Sequence, residues 1–250
     1  MVLGFLIYFL AGKNSTTTEQ SDSVVDAQTT VIAEQSPTTN EQTATTDNTT
    51  NSENNDHPYV DLGLPSGTLW ATCNIGANAP EEYGDYFAWG ETEPKSDYKW
   101  STLKYCKDKK GERFSKYNTQ SKYGSVDNKT TLERSDDAAS VNWGSDWCMP
   151  TPAQFKELKD NCTWTWTSIN GNDGYEVKGP NDNTIFLPVA GYRLGTSLYD
   201  DGSYGNFWSS SLYSDGPNGG RYLNFYFDDV IPDDWCSRHY GFSVRPVWCR

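Results

Sequence analysis

Histidine is nearly absent from this chain: two occur in 250 residues, at positions 57 and 239. None of the six cysteines (73, 106, 148, 162, 236 and 249) belongs to a CxxC pair. A zinc centre built from Cys and His therefore has no basis in the sequence. There is no GxSxG, because "GTSLY" ends in Tyr199 rather than glycine, and there is no P-loop and no HExxH. With the nucleophile elbow, the phosphate cradle and the metalloprotease helix all missing, no enzymatic activity is expected. Long apolar runs are missing too. The opening run, Val2 to Gly12, has 11 residues, against the roughly 20 that a membrane-crossing helix needs. Basic runs are also lacking and the formal net charge is −14, which excludes a phosphate backbone as an expected partner: no nucleic acid.

Residues 14 to 56 lack aromatics, glycine, lysine and arginine altogether, and consist almost wholly of small polar and acidic residues, as in "EQSPTTNEQTATTDNTTNSENND". Such a stretch buries too little apolar surface to offset its chain entropy, so a disordered acidic linker rich in Thr and Asn is predicted here. A flexible linker of that length reaches about 35 Å on average. Before it, residues 1–13 read as a truncated signal-like or membrane-proximal apolar segment. It has the length of a signal-peptide apolar region but no positive residues in front of it. Leu10-Ala11-Gly12 matches the first positions of a lipoprotein cleavage box, with Lys13 where the lipidated cysteine belongs. The expectation is export to the cell envelope or cell surface, with membrane association only through the N-terminus.

All 10 Trp lie in the remainder, 57–250, a suitable size for one domain. The charge divides evenly: one base against eight acids up to Asp56, and 19 against 26 after it, −7 in each part. In "PTPAQFKELKDNC", Thr151 predicts an N-cap, Pro152 the first helical position and Gln154 a capping box. Phe155, Leu158 and Cys162 form the buried stripe. A second helix is predicted in "SDDAASVNWG", capped by Ser135, with Asp136 and Asp137 in its first turn and Gly144 as its stop. "TLWATCNI", "TWTWTS", "YEVKG", "TIFLPVAGY", "NFWSSS", "YLNFYFD" and "FSVRPV" read as short strands between turn-forming segments. Two short helices, many short antiparallel strands and long loops make an α+β domain.

Six stretches occur together and in order: "YVDLGLPSGTLWATCNIGA", "EEYGDYFAWGETEPKSDYKWSTLKYC", "SDDAASVNWGSDWCMPTPAQFKELKDNCTWTW", "IFLPVAGYR", "GNFWSSS" and "GFSVRPV". On these motifs, essentially all of 57–250 resembles the Fibrobacter succinogenes major paralogous domain, abundant in gut Bacteroidetes. That family looks related to the C-type-lectin-like fold of formylglycine-generating enzymes and phage tropism determinants. The resemblance implies a C-type-lectin-like domain. One departure is Cys148, which stands where the family has Arg before Met-Pro-Thr.

The resemblance also implies activities that the residues can be held against. The formylglycine-generating relatives use a reactive cysteine pair late in the domain. Here the late cysteines, Cys236 and Cys249, stand in surroundings unlike that motif and read as structural or unpaired thiols. Lectins of this fold hold calcium with a loop of carboxamide and carboxylate oxygens around Pro, together with Trp-Asn-Asp. "GPNDN" supplies Pro180, Asn181 and Asp182, but Trp-Asn-Asp does not occur, so no cofactor is expected and structural calcium is left open.

The closing stretch, "RYLNFYFDDVIPDDWCSRHYGFSVRPVWCR", carries the binding expectation. Strand alternation puts Leu223, Phe225 and Phe227 in the core and Tyr222, Asn224, Tyr226 and Asp228 outward. "IPDDW" is expected to turn the chain, and the returning strand brings Trp235, Arg238, His239 and Tyr240 near the outward tyrosines. Tyr, Trp and Arg dominate binding hot spots, and Asn and Asp add adaptable hydrogen bonds. The competing expectation is that these aromatics line a loop-rich core. In the phage relatives the corresponding stretch is diversified by retroelements. The reading is thus a surface-displayed receptor or adhesin for a glycan or protein. Its alternatives are an assembly component of a surface complex and a sulfatase-modifying type of enzyme.

Overall fold

The computed structural model describes residues 57 to 249; the expected signal-like segment 1–13 and linker 14–56 lie outside the described residues. The domain is α+β and rich in sheet. In chain order come β1 (Tyr59–Asp61), β2 (Leu69–Ala71), α1 (Ala138–Trp143), β3 (Trp147–Cys148) and α2 (Pro152–Asn161). There follow β4 (Thr163–Ile169), β5 (Asn172–Lys178), β6 (Thr184–Pro188), β7 (Tyr192–Leu194) and β8 (Ser197–Tyr199). Last come β9 (Gly205–Leu212), β10 (Gly219–Tyr226), β11 (Asp229–Ser237) and β12 (Val247–Trp248). The strands form sheets in the orders β1-β2-β12-β3, β4-β5-β6, β7-β8 and β9-β10-β11, and every pairing between them is antiparallel. Among the described residues no helix is long and apolar enough to cross a membrane.

Helix α2 starts as its sequence dictates. The Thr151 hydroxyl accepts from the Gln154 amide N–H at 3.2 Å, and the Gln154 side chain accepts from the Thr151 amide at 2.9 Å. Phe155 and Leu158 are buried where α2 packs on the β9–β10–β11 sheet, while Cys162 is the half-buried C-cap. Helix α1 begins later than expected: Ser135 lies in a 3-10 turn and Asp137 is the cap, accepting from Ser140 N at 3.0 Å. Gly144 ends it as expected. "FSVRPV" does not form a strand. Phe242 and Ser243 make single bridges to Phe87 and Phe207, and the chain regains sheet pairing only at β12.

Between β2 and α1 the chain has little regular structure, and buried charges organise it. The Asp136 carboxylate gathers the ammonium groups of Lys104 and Lys116 and the hydroxyls of Tyr105 and Tyr117. Arg245, fully buried, donates from Nε to Asn74 Oδ1 (2.8 Å) and from Nη1 to the Thr72 carbonyl (2.9 Å), tying the loop after β2 to the C-terminal segment. Each group brought out of water is thus matched by several partners, which is the condition for burying it at tolerable cost.

Candidate functional site

The last three-stranded sheet sets the geometry of the candidate face. β10 and β11 form a hairpin closed by Phe227 and Asp228, with Tyr226 opposite Asp229. "IPDDW" is therefore not the turn; it lies inside β11. Tyr222 pairs with Asp234 and Asn224 with Ile231, so β11 carries one extra residue between those pairs, and Pro232 falls in that bulge. A bulge tolerates a proline that cannot donate to the ladder, and it breaks the simple in–out alternation.

Both faces of β10 are covered, Leu223 and Phe225 packing into one core cluster and Tyr222 into another, so the outward set is largely buried, which corrects the expectation for Tyr222, Asn224, Arg238 and His239. Tyr222 is 9 % exposed, packs on Phe242 at 4.8 Å and donates its hydroxyl to Asp234 Oδ2 at 3.1 Å. Burial, then the Asp234 charge, drives its phenol far above the usual range. Asn224 donates to Asn206 Oδ1 at 3.0 Å in the interior. Arg238 is wholly enclosed. Its guanidinium lies 4.8 Å from the Trp89 ring centre and 5.0 Å from that of Phe114, and Nη1 donates to the Pro217 carbonyl at 3.0 Å. Burial lowers its pKa to about 10. Nε and Nη2 find no hydrogen-bond partner, so the aromatic faces supply what stabilisation those edges receive. His239 packs on Trp100 with ring centres 4.3 Å apart and planes tilted by 39°, and Tyr240 is half-buried against Tyr192 at 5.5 Å. These residues join core to loops.

Phe227 is the opposite correction. Expected in the core, it stands 68 % exposed at the hairpin tip with its ring edge-on to Trp166 at 5.6 Å. Tyr226 beside it is half-buried against Tyr204 at 5.4 Å, and Asp228 is exposed. Leu223 and Phe225 are buried as expected.

Of the expected residues, Trp235 presents the largest open aromatic surface, at 45 % exposure. It stacks on Tyr213, with ring centres 4.5 Å apart and planes 7° from parallel. Arg221, cross-strand from Trp235, lies 4.9 Å over the Tyr213 ring and pairs with Asp233 at 3.3 Å. Asp215 accepts from the Tyr213 hydroxyl at 3.0 Å. Gly219 makes the stack possible: a Cβ there would come within 2.9 Å of Tyr213 Cβ and 3.1 Å of Trp235 Cε3. The platform is thus a pre-packed pair of rings rimmed by a guanidinium and two carboxylates. The sequence reading missed Tyr213, Gly219, Arg221 and Asp233. Tyr213 adjoins the turn-like text "SDGPNGG", and the Arg221–Trp235 pairing depends on a turn position that strand alternation does not reveal.

Cys148 and Cys249 form a disulfide across 101 residues, so the late cysteines are not paired with each other. The Cys236 thiol is pushed up to about 12 by burial, which disfavours the reactive thiolate. In the "GPNDN" loop, Asn181 and Asn183 donate to the Asp61 carbonyl at 2.9 and 2.8 Å and Asp182 pairs with Lys178 at 2.8 Å, so the loop fastens the end of β1. Among the described residues no three His, Cys, Asp or Glu side chains converge as a metal-holding group. No protein-family model, curated protein or solved structure matches this chain.

Proposed function

We propose that this chain is a non-enzymatic ligand-binding module, displayed at the cell surface as an adhesin or receptor and built on a C-type-lectin-like domain. Its ligand is a glycan or a protein. The observation that supports this reading is the exposed Tyr213–Trp235 stack with Arg221, Asp233 and Asp215 at its rim. Two rings already stacked lose little freedom on binding, and they offer a flat apolar face beside charged hydrogen-bonding groups. This narrows the expected face to Trp235 and adds Tyr213 and Arg221.

The test uses the full chain and its Trp235→Ala and Tyr213→Ala variants on arrayed glycans and envelope-protein extracts. Both variants should lose binding by tenfold or more, the usual effect of about 1.4 kcal/mol or more at a hot spot, while keeping the wild-type fold. Undiminished binding by both would sink the reading. A second reading, an assembly component of a surface complex, draws on Phe227, whose exposed ring suits burial against a partner. A stable partner kept by Trp235→Ala and lost by Phe227→Ser would favour it.

A further inference from the structure

The β7–β8 hairpin borders a groove that the Tyr213–Trp235 face does not use. It has a volume of about 450 Å³ and is lined by Gly84 to Tyr86, Pro94 to Ser96, Tyr98 and Arg193. Small-molecule sites run from about 300 to 1,000 Å³. Arg193 is the anchor residue, and its backbone is fixed on both sides. It pairs with Leu198 across the hairpin, donates to the Gly241 carbonyl at 2.8 Å and accepts from the Gly241 amide at 2.9 Å. The guanidinium lies 5.2 Å from the Tyr86 ring centre. Among the described residues no carboxylate pairs with it and no acceptor takes a hydrogen bond from it, in a chain with 34 acids to 20 bases.

The two tyrosine hydroxyls and the lysine of the groove already have partners. The Tyr98 hydroxyl donates to the Tyr86 carbonyl at 2.6 Å and accepts from the Lys95 amide at 3.2 Å, and the Tyr86 hydroxyl donates to the Ala190 carbonyl at 2.6 Å. The Lys95 ammonium is held by Glu91 at 2.7 Å. Asp85 also lines the groove, and its carboxylate is not paired with Arg193. The groove therefore holds one guanidinium with its hydrogen-bond donors uncommitted and one carboxylate that repels excess negative charge.

We propose that this groove binds the carboxylate of a small ligand, with the Arg193 guanidinium as the receiving fork. A planar guanidinium matches a carboxylate with two parallel hydrogen bonds, and the cation–π contact with the Tyr86 ring helps hold the fork in place before the ligand arrives. Asp85 limits the site to a single negative charge, favouring carboxylate over a doubly charged phosphate. The site goes beyond the aromatic-face reading and does not depend on it.

The test titrates the full chain, by calorimetry, with glucuronate and with N-acetylglycine, each beside a neutral counterpart, glucose and N-acetylglycine amide. At least one acid should bind and its neutral counterpart should not. Binding of glucuronate alone assigns a sugar acid, of N-acetylglycine alone a peptide-type acid, and of both a site that reads the carboxylate itself. Arg193→Gln should weaken binding by about tenfold or more, the range for a hydrogen bond to a charged group. Asp85→Asn should strengthen it, and Trp235→Ala should leave it unchanged, which separates this site from the aromatic face. Arg193→Lys keeps the charge without the fork and should bind several-fold more weakly than wild type; it carries the test if Arg193→Gln fails to fold. The proposal is overturned if neither acid binds, if the neutral counterparts bind equally, or if folded Arg193 variants bind as wild type does.

Discussion

A free histidine titrates near neutrality, but His239, 9 % exposed against Trp100 and Tyr240, has its pKa lowered to about 4 by burial and then by the Lys95 charge. The unfolded chain, with an ordinary imidazole near 6.5, takes up the proton first as pH falls. The neutral imidazole's contribution is therefore complete above about pH 6.5 and is lost progressively down to about pH 4. Asp136 behaves differently. Burial resists its ionisation, yet hydrogen bonds from Lys116, Tyr105, Tyr117 and Lys104 outweigh that and hold its carboxyl well below the usual range. Its contribution is present above the ordinary carboxylate pKa of about 3.9 and is lost only below it, so the two groups act in separate windows. Asp137, pushed up by burial, opposes the His239 effect in part, and a His239 substitution isolates the imidazole. His239→Phe keeps a ring against Trp100. Urea unfolding from pH 7 to pH 4 should show wild type losing up to about 3 kcal/mol more than the variant across that interval. Parallel profiles would mean that His239 is not held neutral in the fold.

Helix α2 and the β10–β11 hairpin mark what an element's own sequence can and cannot announce. The capping box of Thr151 and Gln154 is local, so the same residues that suggest the helix also make its first hydrogen bonds. Thr151→Ala should lower stability by about 1 kcal/mol, seen as a shifted denaturant midpoint with an unchanged slope; no shift would mean that tertiary packing alone holds the helix start. The α1 cap moved from Ser135 to Asp137 because both residue types cap well, and a 3-10 turn that takes in Ser135 and ends at Asp137 decides between them. The hairpin is harder to read. Strand alternation placed Leu223 and Phe225 inside correctly, but it carried no mark of the bulge at Pro232 or of the two-residue turn at Phe227 and Asp228. The turn leaves Phe227 exposed, and a second core cluster packed on the other face of β10 buries Tyr222, which a single strand's alternation cannot announce. The Trp235 half of the candidate platform was legible as an aromatic among acids. The Tyr213 half was not, because it arrives from the other edge of the sheet across the bare backbone of Gly219.

At the scale of the whole molecule, the two ends of the described chain close on each other. β12 lies between β2 and β3, so the C-terminal residues complete the sheet that the first strand begins, and the Cys148–Cys249 disulfide locks that closure. Spacing alone left the cysteine pairing open; the sheet decides it, because Val247 opposite Cys148 brings Cys249 alongside, with the two Cα atoms 6.0 Å apart. A link across 101 residues removes much of the unfolded chain's freedom. Its loss should lower stability by about 2–5 kcal/mol. The fold itself should survive, because Val247 is buried in the core beside Trp70 and Arg245 keeps its own ties to Asn74 and Thr72. Cys249→Ser and reduced wild type should therefore shift the unfolding midpoint equally and leave near-ultraviolet dichroism in place. They should also bind ligand as the oxidised chain does, since the Tyr213–Trp235 platform rests on the β9–β10–β11 sheet and not on the sheet that carries the disulfide. Collapse of the aromatic signal on reduction would mean that the bond, rather than the packing around it, holds the C-terminal segment in place.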